Sequence, residues 1–321
     1  MEACSLETYQ GISPLPDDFD AYWETALREL DRTKPRARFA PAGFRCPGVE
    51  CRELYFQGTG GALIHAQYMR PAGKPRRAPA VLMFHGYGFY AGNWFEKLGF
   101  VQAGFAVLAM DCRGQYGESR DTSQVGGNTL HGHIIRGADD EDPQKLLYRD
   151  VFLDTAQLAR LAMTLEEIDP QRVYTYGGSQ GGALALVCAA LEPRVARAAA
   201  IYPFLADYRC AYEQKGLAFS ELNEYFAHSD PRHLKEAALF GRLGYIDVKN
   251  LAPRVRAKTV MFTALADQHV PPATQYAVYN RLGCEKRHVL YPDYGHEKID
   301  EVPDLVLEFF LAGEEWPPFA P

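Results

Sequence analysis

The stretch with the most chemical content is Val173-Tyr-Thr-Tyr-Gly-Gly-Ser-Gln-Gly-Gly182. It holds the chain's one Gly-x-Ser-x-Gly, at Gly177, Ser179 and Gly181. An apolar run precedes the serine, and the helix-like Ala183-Leu-Ala-Leu-Val-Cys-Ala-Ala190 follows it. A serine between a strand and a helix sits on a tight turn that exposes its hydroxyl above a sheet. Glycines on either side are required because the backbone passes too close to itself for a Cβ. The chemistry this suits is nucleophilic attack on an acyl carbon through a covalent intermediate. The N-terminus of the following helix favours the negative charge that develops.

Such a hydroxyl needs a base, and the chain has nine histidines. In serine hydrolases built on this turn the chain order is Ser, acid, His. That order leaves His228, His233, His269, His288 and His296. His228 and His233 fall in a stretch without strands, His269 precedes a helix, and His288 lies within a strand. His296, in Tyr291-Pro-Asp-Tyr-Gly-His-Glu297, follows the last strand and is the expected base. The expected acid is Asp267, at the end of Val260-Met-Phe-Thr-Ala-Leu-Ala-Asp267, where it would hold the imidazole tautomer. Asp293, on the histidine's own loop, is the rival and reads as a turn former. Oxyanion donors are expected from the main-chain N–H of Gln180 and from Tyr87 in His85-Gly86-Tyr87-Gly88, the loop after Ala80–Phe84. His85 itself reads as a structural hydrogen-bonding group.

The elements that must position these groups are short apolar runs alternating with helical stretches. The runs are Ala80–Phe84, Phe105–Met110, Val173–Tyr176, Ala198–Tyr202, Val260–Thr263 and His288–Tyr291. Continuous apolar runs suit parallel strands buried on both faces. Helical spacing falls near 93–103, 145–165, 180–192, 273–282 and 300–312. Before them come a helix over 17–31, capped by Asp17 and Asp18, a surface connection over 35–48, and a hairpin from Val49 to Met69 turning at Gly58, Gly60 and Gly61. The reading is α/β, a single domain over 1–321 with a mostly parallel central sheet covered by helices on both faces. Residues 1–48 form an N-terminal helical extension. Residues 203–257 form an insertion that either walls or caps a pocket or serves as extra scaffold packing, with a helix starting at Ser229-Asp230-Pro231.

With 321 residues, 47% hydrophobic and 23% charged, the chain can bury a sizeable core. Its 34 basic and 41 acidic residues give a net charge of −7, so no nucleic-acid or anionic-membrane partner is expected. No apolar stretch is long enough to span a bilayer. The first residues lack a basic segment followed by an apolar one, and the cysteines show no paired spacing. A cytoplasmic protein with reduced cysteines is expected. Without a HExxH motif, a His/Cys cluster, or a dinucleotide or phosphate-loop fingerprint, no metal and no cofactor are expected.

Three motifs in order, Arg113-Gly114-Gln115, Gly177-Gly178-Ser179-Gln180-Gly181 and His296-Glu297, resemble the acetyl xylan esterase and cephalosporin C deacetylase family, carbohydrate esterase family seven, of the α/β-hydrolases. The resemblance extends to Asp18-Phe19-Asp20-Ala-Tyr-Trp23, His85-Gly86-Tyr87, Arg136-Gly137 with Leu147-Tyr148-Arg149-Asp-Val-Phe152, and Asp267 with Pro271-Pro272. It implies Ser179 as nucleophile, Asp267 as acid and His296 as base. The N–H groups of Tyr87 and Gln180 would form the oxyanion hole, Tyr87 would also touch substrate, and Arg113, Gln115 and Glu297 would support the site. It implies hydrolysis of small acetyl esters, of acetylated xylo-oligosaccharides and cephalosporin C, by a homo-oligomer, a hexamer. Tyr116 stands where the family has glycine, and Gly-Phe-Tyr-Ala-Gly-Asn follows Tyr87. Tyr87, Phe89 and Tyr90 could limit the acyl site to one methyl group. Two other readings are a peptidase of prolyl-oligopeptidase type and an inactive binding protein on the same fold.

Overall fold

The computed structural model describes residues 5–73, 77–124 and 132–313. The strands are β1 (Arg38–Pro41), β2 (Val49–Gln57), β3 (Leu63–Pro71), β4 (Ala78–Phe84), β5 (Ala106–Met110), β6 (Ile168–Gly178), β7 (Arg197–Ile201), β8 (Lys258–Ala264) and β9 (Lys286–Tyr291). They form one sheet in the order β1-β2-β3-β5-β4-β6-β7-β8-β9. From β5 to β9 every pairing is parallel, while β1, β2 and β3 pair antiparallel and β3 pairs antiparallel with β5. The expected α/β sheet is present.

The helices are α1 (Phe19–Arg32), α2 (Leu98–Gln102), α3 (Leu147–Ala162), α4 (Gln180–Leu191), α5 (Tyr208–Glu213), α6 (Ser220–His228), α7 (Glu236–Leu243), α8 (Val248–Leu251), α9 (Pro272–Arg281) and α10 (Val302–Leu311). Two apolar cores flank the sheet. One gathers α1, α3, α4, α9 and the 203–257 helices, and the other gathers α2 and α10. Helix α4 is buried along its whole length, which its near-continuous Ala, Leu and Val sequence permits.

Three local expectations need correction. Residues 35–48 are not only a surface connection, because β1 adds an edge strand to the sheet. Phe39 packs on Tyr68 and Arg38 lies over the Tyr55 ring, which gives this short stretch the alternation of a strand. Asp18 occupies the N-cap position of α1 but makes no cap bond, and its carboxylate instead accepts from the Tyr245 hydroxyl. No helix starts at Ser229-Asp230-Pro231. Helix α6 ends there, and Asp230 accepts the Leu234 and Lys235 N–H groups in the turn ahead of α7.

The strand order reverses between β4 and β6, since the chain leaves β4 for β5 on one side and returns as β6 on the other. Loops leaving β4 and β6 therefore diverge at their C-terminal ends and open a crevice, the usual ligand position in such sheets.

Candidate active site

At the end of β6 the chain turns directly into α4, and Ser179 is the turning residue, with φ 57° and ψ −121°. This backbone is costly for a residue with a Cβ and survives only where its surroundings fix it. The Ser179 N–H bonds the Ile201 carbonyl at 2.9 Å, and its carbonyl accepts the Ala183 and Phe204 N–H groups at 3.0 and 3.1 Å. The flanking glycines are required by space. A Cβ on Gly177 would lie 2.4 Å from the Gly181 carbonyl carbon, and one on Gly181 would lie 2.0 Å from the Phe84 oxygen.

The Ser179 Oγ stands 2.9 Å from His296 Nε2, and His296 Nδ1 stands 2.7 Å from Asp267 Oδ2. The other Asp267 oxygen accepts the His269 and Val270 N–H groups, so the carboxylate is aimed before the histidine meets it. With Nδ1–H donating to Asp267, Nε2 is free to accept the serine proton. The imidazole packs against the rings of Tyr202 and His269, with centroids at 4.6 and 5.3 Å. Asp293 is exposed and does not bond the imidazole. The remaining histidines after Ser179 are placed elsewhere: His228 is exposed at the end of α6, His233 pairs with Glu236, and burial pushes His288 down to about 4.

Beside the elbow, the main-chain N–H groups of Tyr87 and Gln180 have no protein acceptor among the described residues. The loop carrying Tyr87 is tied down on several sides. His85 donates Nδ1–H to the Gly86 carbonyl at 2.8 Å, and its Nε2 accepts the Cys112 N–H at 3.0 Å. Burial holds that ring neutral by lowering its affinity for a proton. Gln115 Oε1 accepts the Gly88 N–H at 2.9 Å, and Gln115 Nε2 donates to Gln180 Oε1 at 2.7 Å. One amide thus joins the two loops that present the free N–H groups. The Tyr148 hydroxyl also donates to Gln180 Oε1. Arg113 is fully buried and bidentate to Asp154 of α3, with both bonds at 2.7 Å. Burial opposes its charge, and the Asp154 and Asp150 carboxylates overcome that opposition.

A profile of the acetyl xylan esterase (AXE1) family matches residues 1–312. The chain belongs to the acetyl xylan esterase family. It is accordingly a serine ester hydrolase of acetyl esters. Among relatives of this acetyl xylan esterase family member is the acetyl esterase Axe7A of Xylanibacter ruminicola. The two are 26% identical over 92% of this chain and 67% of that one. The S-formylglutathione hydrolase of Mus musculus is 32% identical over 48% of this chain and 56% of the relative. Acetyl xylan esterase 1 from Thermoanaerobacterium sp. JW/SL YS485 superposes with a TM-score of 0.94 at 47% identity, covering 97% of this chain and 98% of the other. The acetyl xylan esterase from Paenibacillus sp. R4 gives 0.91 at 31% identity, covering 97% and 99%. Among the described residues no helix could cross a membrane and no cluster could hold a metal ion.

In this acetyl xylan esterase family member Glu297 is exposed, and its main-chain carbonyl, rather than its carboxylate, accepts the Tyr202 hydroxyl at 3.2 Å. Tyr116 and Phe89 are 73% and 64% exposed. A cavity of about 810 Å³ opens beside the elbow, lined by His85, Gly86, Phe89, Tyr90, Asn93 and Gly178. Two buried groups escaped the sequence reading. Asp111 accepts the Ala91 and Glu118 N–H groups and pairs with His65, which also meets Glu53. Glu221, from α6, accepts the Tyr87 hydroxyl at 2.8 Å. Burial pushes its carboxyl up to about 7. Asp111 precedes the Arg-Gly-Gln motif and gave a faint signal, whereas no spacing or motif marks Glu221.

Proposed function

We propose that Ser179, His296 and Asp267 form the catalytic triad of an esterase that removes acetyl groups from small polyol or sugar alcohols. The unbroken hydrogen-bonded chain from Asp267 through His296 to Ser179 carries this reading. As Ser179 Oγ attacks the ester carbonyl carbon, its proton passes to His296 Nε2. The carbonyl oxygen becomes an oxyanion that accepts from the Tyr87 and Gln180 N–H groups. The imidazolium, stabilised by Asp267, returns the proton to the departing alcohol and leaves an acetyl-enzyme. Water then repeats the sequence against the acetyl group and regenerates Ser179. Each oxyanion donor contributes about 2.7–4 kcal/mol in enzymes of this kind.

Two relatives are named as acetyl xylan esterases and a third as an acetyl esterase, which supports acetylated xylo-oligosaccharides as the substrate class. Cephalosporin C fits the same chemistry. The family resemblance further supports a homo-hexamer. The first residues' lack of a basic segment followed by an apolar one, with the cysteines' lack of paired spacing, supports a cytoplasmic location. The place of the 203–257 helices after a strand's C-terminal end supports them as the wall of the pocket in a single-domain chain. Ser179→Ala should lower kcat by about 10⁶-fold and abolish fluorophosphonate labelling. The wild type should prefer acetyl over butyryl and octanoyl p-nitrophenyl esters. Near-normal turnover by the folded Ser179→Ala variant would sink the triad, and a rise in kcat/KM toward octanoyl would sink the acetyl assignment alone. Light scattering on the same preparation separates six subunits from one.

A further inference from the structure

The carboxylate of Glu221 is buried, and none of the steps above uses it. It comes from α6, inside the 203–257 insertion, and reaches across to the loop after β4. Its Oε1 accepts the Tyr87 hydroxyl at 2.8 Å, and its Oε2 accepts the main-chain N–H groups of Ile134 and Ile135 at 2.8 and 3.1 Å. The Tyr87 hydroxyl in turn accepts the His133 N–H at 2.8 Å. The Tyr87 ring is held edge-on by Phe204 at 5.7 Å, just beyond the strand that receives the Ser179 N–H. Gly132 makes room for the carboxylate, since a Cβ there would lie 2.0 Å from Glu221 Oε2. The phenol of Tyr87 is thus fixed at its far end while its own N–H is left free at the near end.

We propose that Glu221 is a positioning residue for the oxyanion hole. By holding the Tyr87 hydroxyl, it fixes the backbone of residues 85–88 so that the Tyr87 N–H points at the developing oxyanion. The inference rests on the reading of Tyr87 N–H as an oxyanion donor. It also gives the insertion a part in the chemistry beyond walling the pocket. Gln115 secures the same loop through the Gly88 N–H, so the donor has a second anchor. A small tilt of a peptide plane here matters because such donors act only at hydrogen-bonding distance from where the charge appears.

Glu221→Gln isolates the Tyr87 contact. The amide oxygen can still accept from Ile134 and Ile135, but the NH₂ group then faces the phenol, whose own hydrogen loses its acceptor. Tyr87→Phe removes the same bond from the other end and keeps the main-chain N–H. Kinetics on p-nitrophenyl acetate, melting temperature, and affinity for phenylboronic acid, which forms a tetrahedral adduct at the serine, test the idea. Each single variant should lose about 10- to 100-fold in kcat, with KM within about threefold. Boronate affinity should fall by a similar factor, and the double variant should be no worse than the poorer single one. If Glu221→Gln folds poorly, Tyr87→Phe still tests the bond. Unchanged kcat and boronate affinity in the folded variants, or losses that multiply in the double variant, would overturn the positioning role and leave the triad intact. A wild type that binds no boronate would instead overturn the oxyanion reading itself.

Discussion

At the scale of single residues, the site depends on charges fixed before substrate arrives. Asp267 is held by two N–H groups and Asp293 touches nothing in the relay. Asp267→Asn should therefore lower kcat by about 10⁴-fold, as the same change does in other Ser-His-Asp enzymes. Asp293→Asn should stay within about twofold, as expected for a surface change. Comparable losses in both would move the acid to the histidine's own loop. A second pair makes a contribution to stability that depends on pH. Burial works against a charged His65, but its bonds to Asp111 and Glu53 win, and its pKa lies above 6.5. Burial likewise opposes a charged Asp111, yet bonds from His65, Glu118 and Ala91 hold its pKa below 3.8. The histidine's contribution is complete below its unfolded value and is lost as pH rises through the folded one. The carboxylate's contribution is complete above its unfolded value and is lost as pH falls through the folded one. The pair should stabilise most between about pH 4 and 6.5, given those unfolded values. In thermal melts, His65→Gln should flatten the alkaline decline of Tm, and an unaltered decline would show that other groups control it.

At the scale of elements, the close crossing of β4, β6 and α4 forces the elbow. Gly181→Ala places a methyl group 2.0 Å from the Phe84 carbonyl, which cannot move without carrying the Tyr87 loop. Overpacking of this kind costs about 1–3 kcal/mol, so both Tm and kcat should fall. Gly178→Ala meets only the Ile201 and Tyr202 side chains, no nearer than 3.7 Å, and should be tolerated. Equal behaviour of the two variants in melts and kinetics would mean that the turn yields more than its packing suggests. The elements that were legible in the sequence are those whose burial leaves a pattern. Parallel strands buried on both faces write continuous apolar runs, and α4 writes a block of Ala, Leu and Val. Strand β1 was not legible because an edge strand needs only Phe39 inward and tolerates Arg38 and Pro41 at its ends. The start of α7 was misread because Asp230 looks like a cap, and its bonds to Leu234 and Lys235 reveal it only in three dimensions. In the site, Ser179, His296 and Asp267 follow from order and context. Glu221 lies 134 residues from Tyr87, and nothing local distinguishes it from any other helical glutamate.

At the scale of the whole molecule, the three groups of the relay rest on different parts of the sheet. Ser179 follows β6, near the middle, while Asp267 follows β8 and His296 follows β9, the last strand on its side. Among the described residues β9 pairs with β8 alone, and most of its residues are half-exposed. Elements with few buried contacts open locally before the core does. The proposed base therefore hangs on one edge of the sheet, while the proposed nucleophile stands on an interior strand that frays later. Warming should erode activity before it erodes the fold. Amides of residues 286–291 should exchange with solvent sooner than those of 173–178, and activity should fall below the temperature at which far-UV ellipticity changes. Coincident loss of activity and ellipticity would mean that the sheet opens as one unit. If the two separate, heat-treated enzyme cooled before its core melts should regain activity as fast as β9 zips back onto β8, so the edge strand acts as a reversible fuse for the catalytic centre.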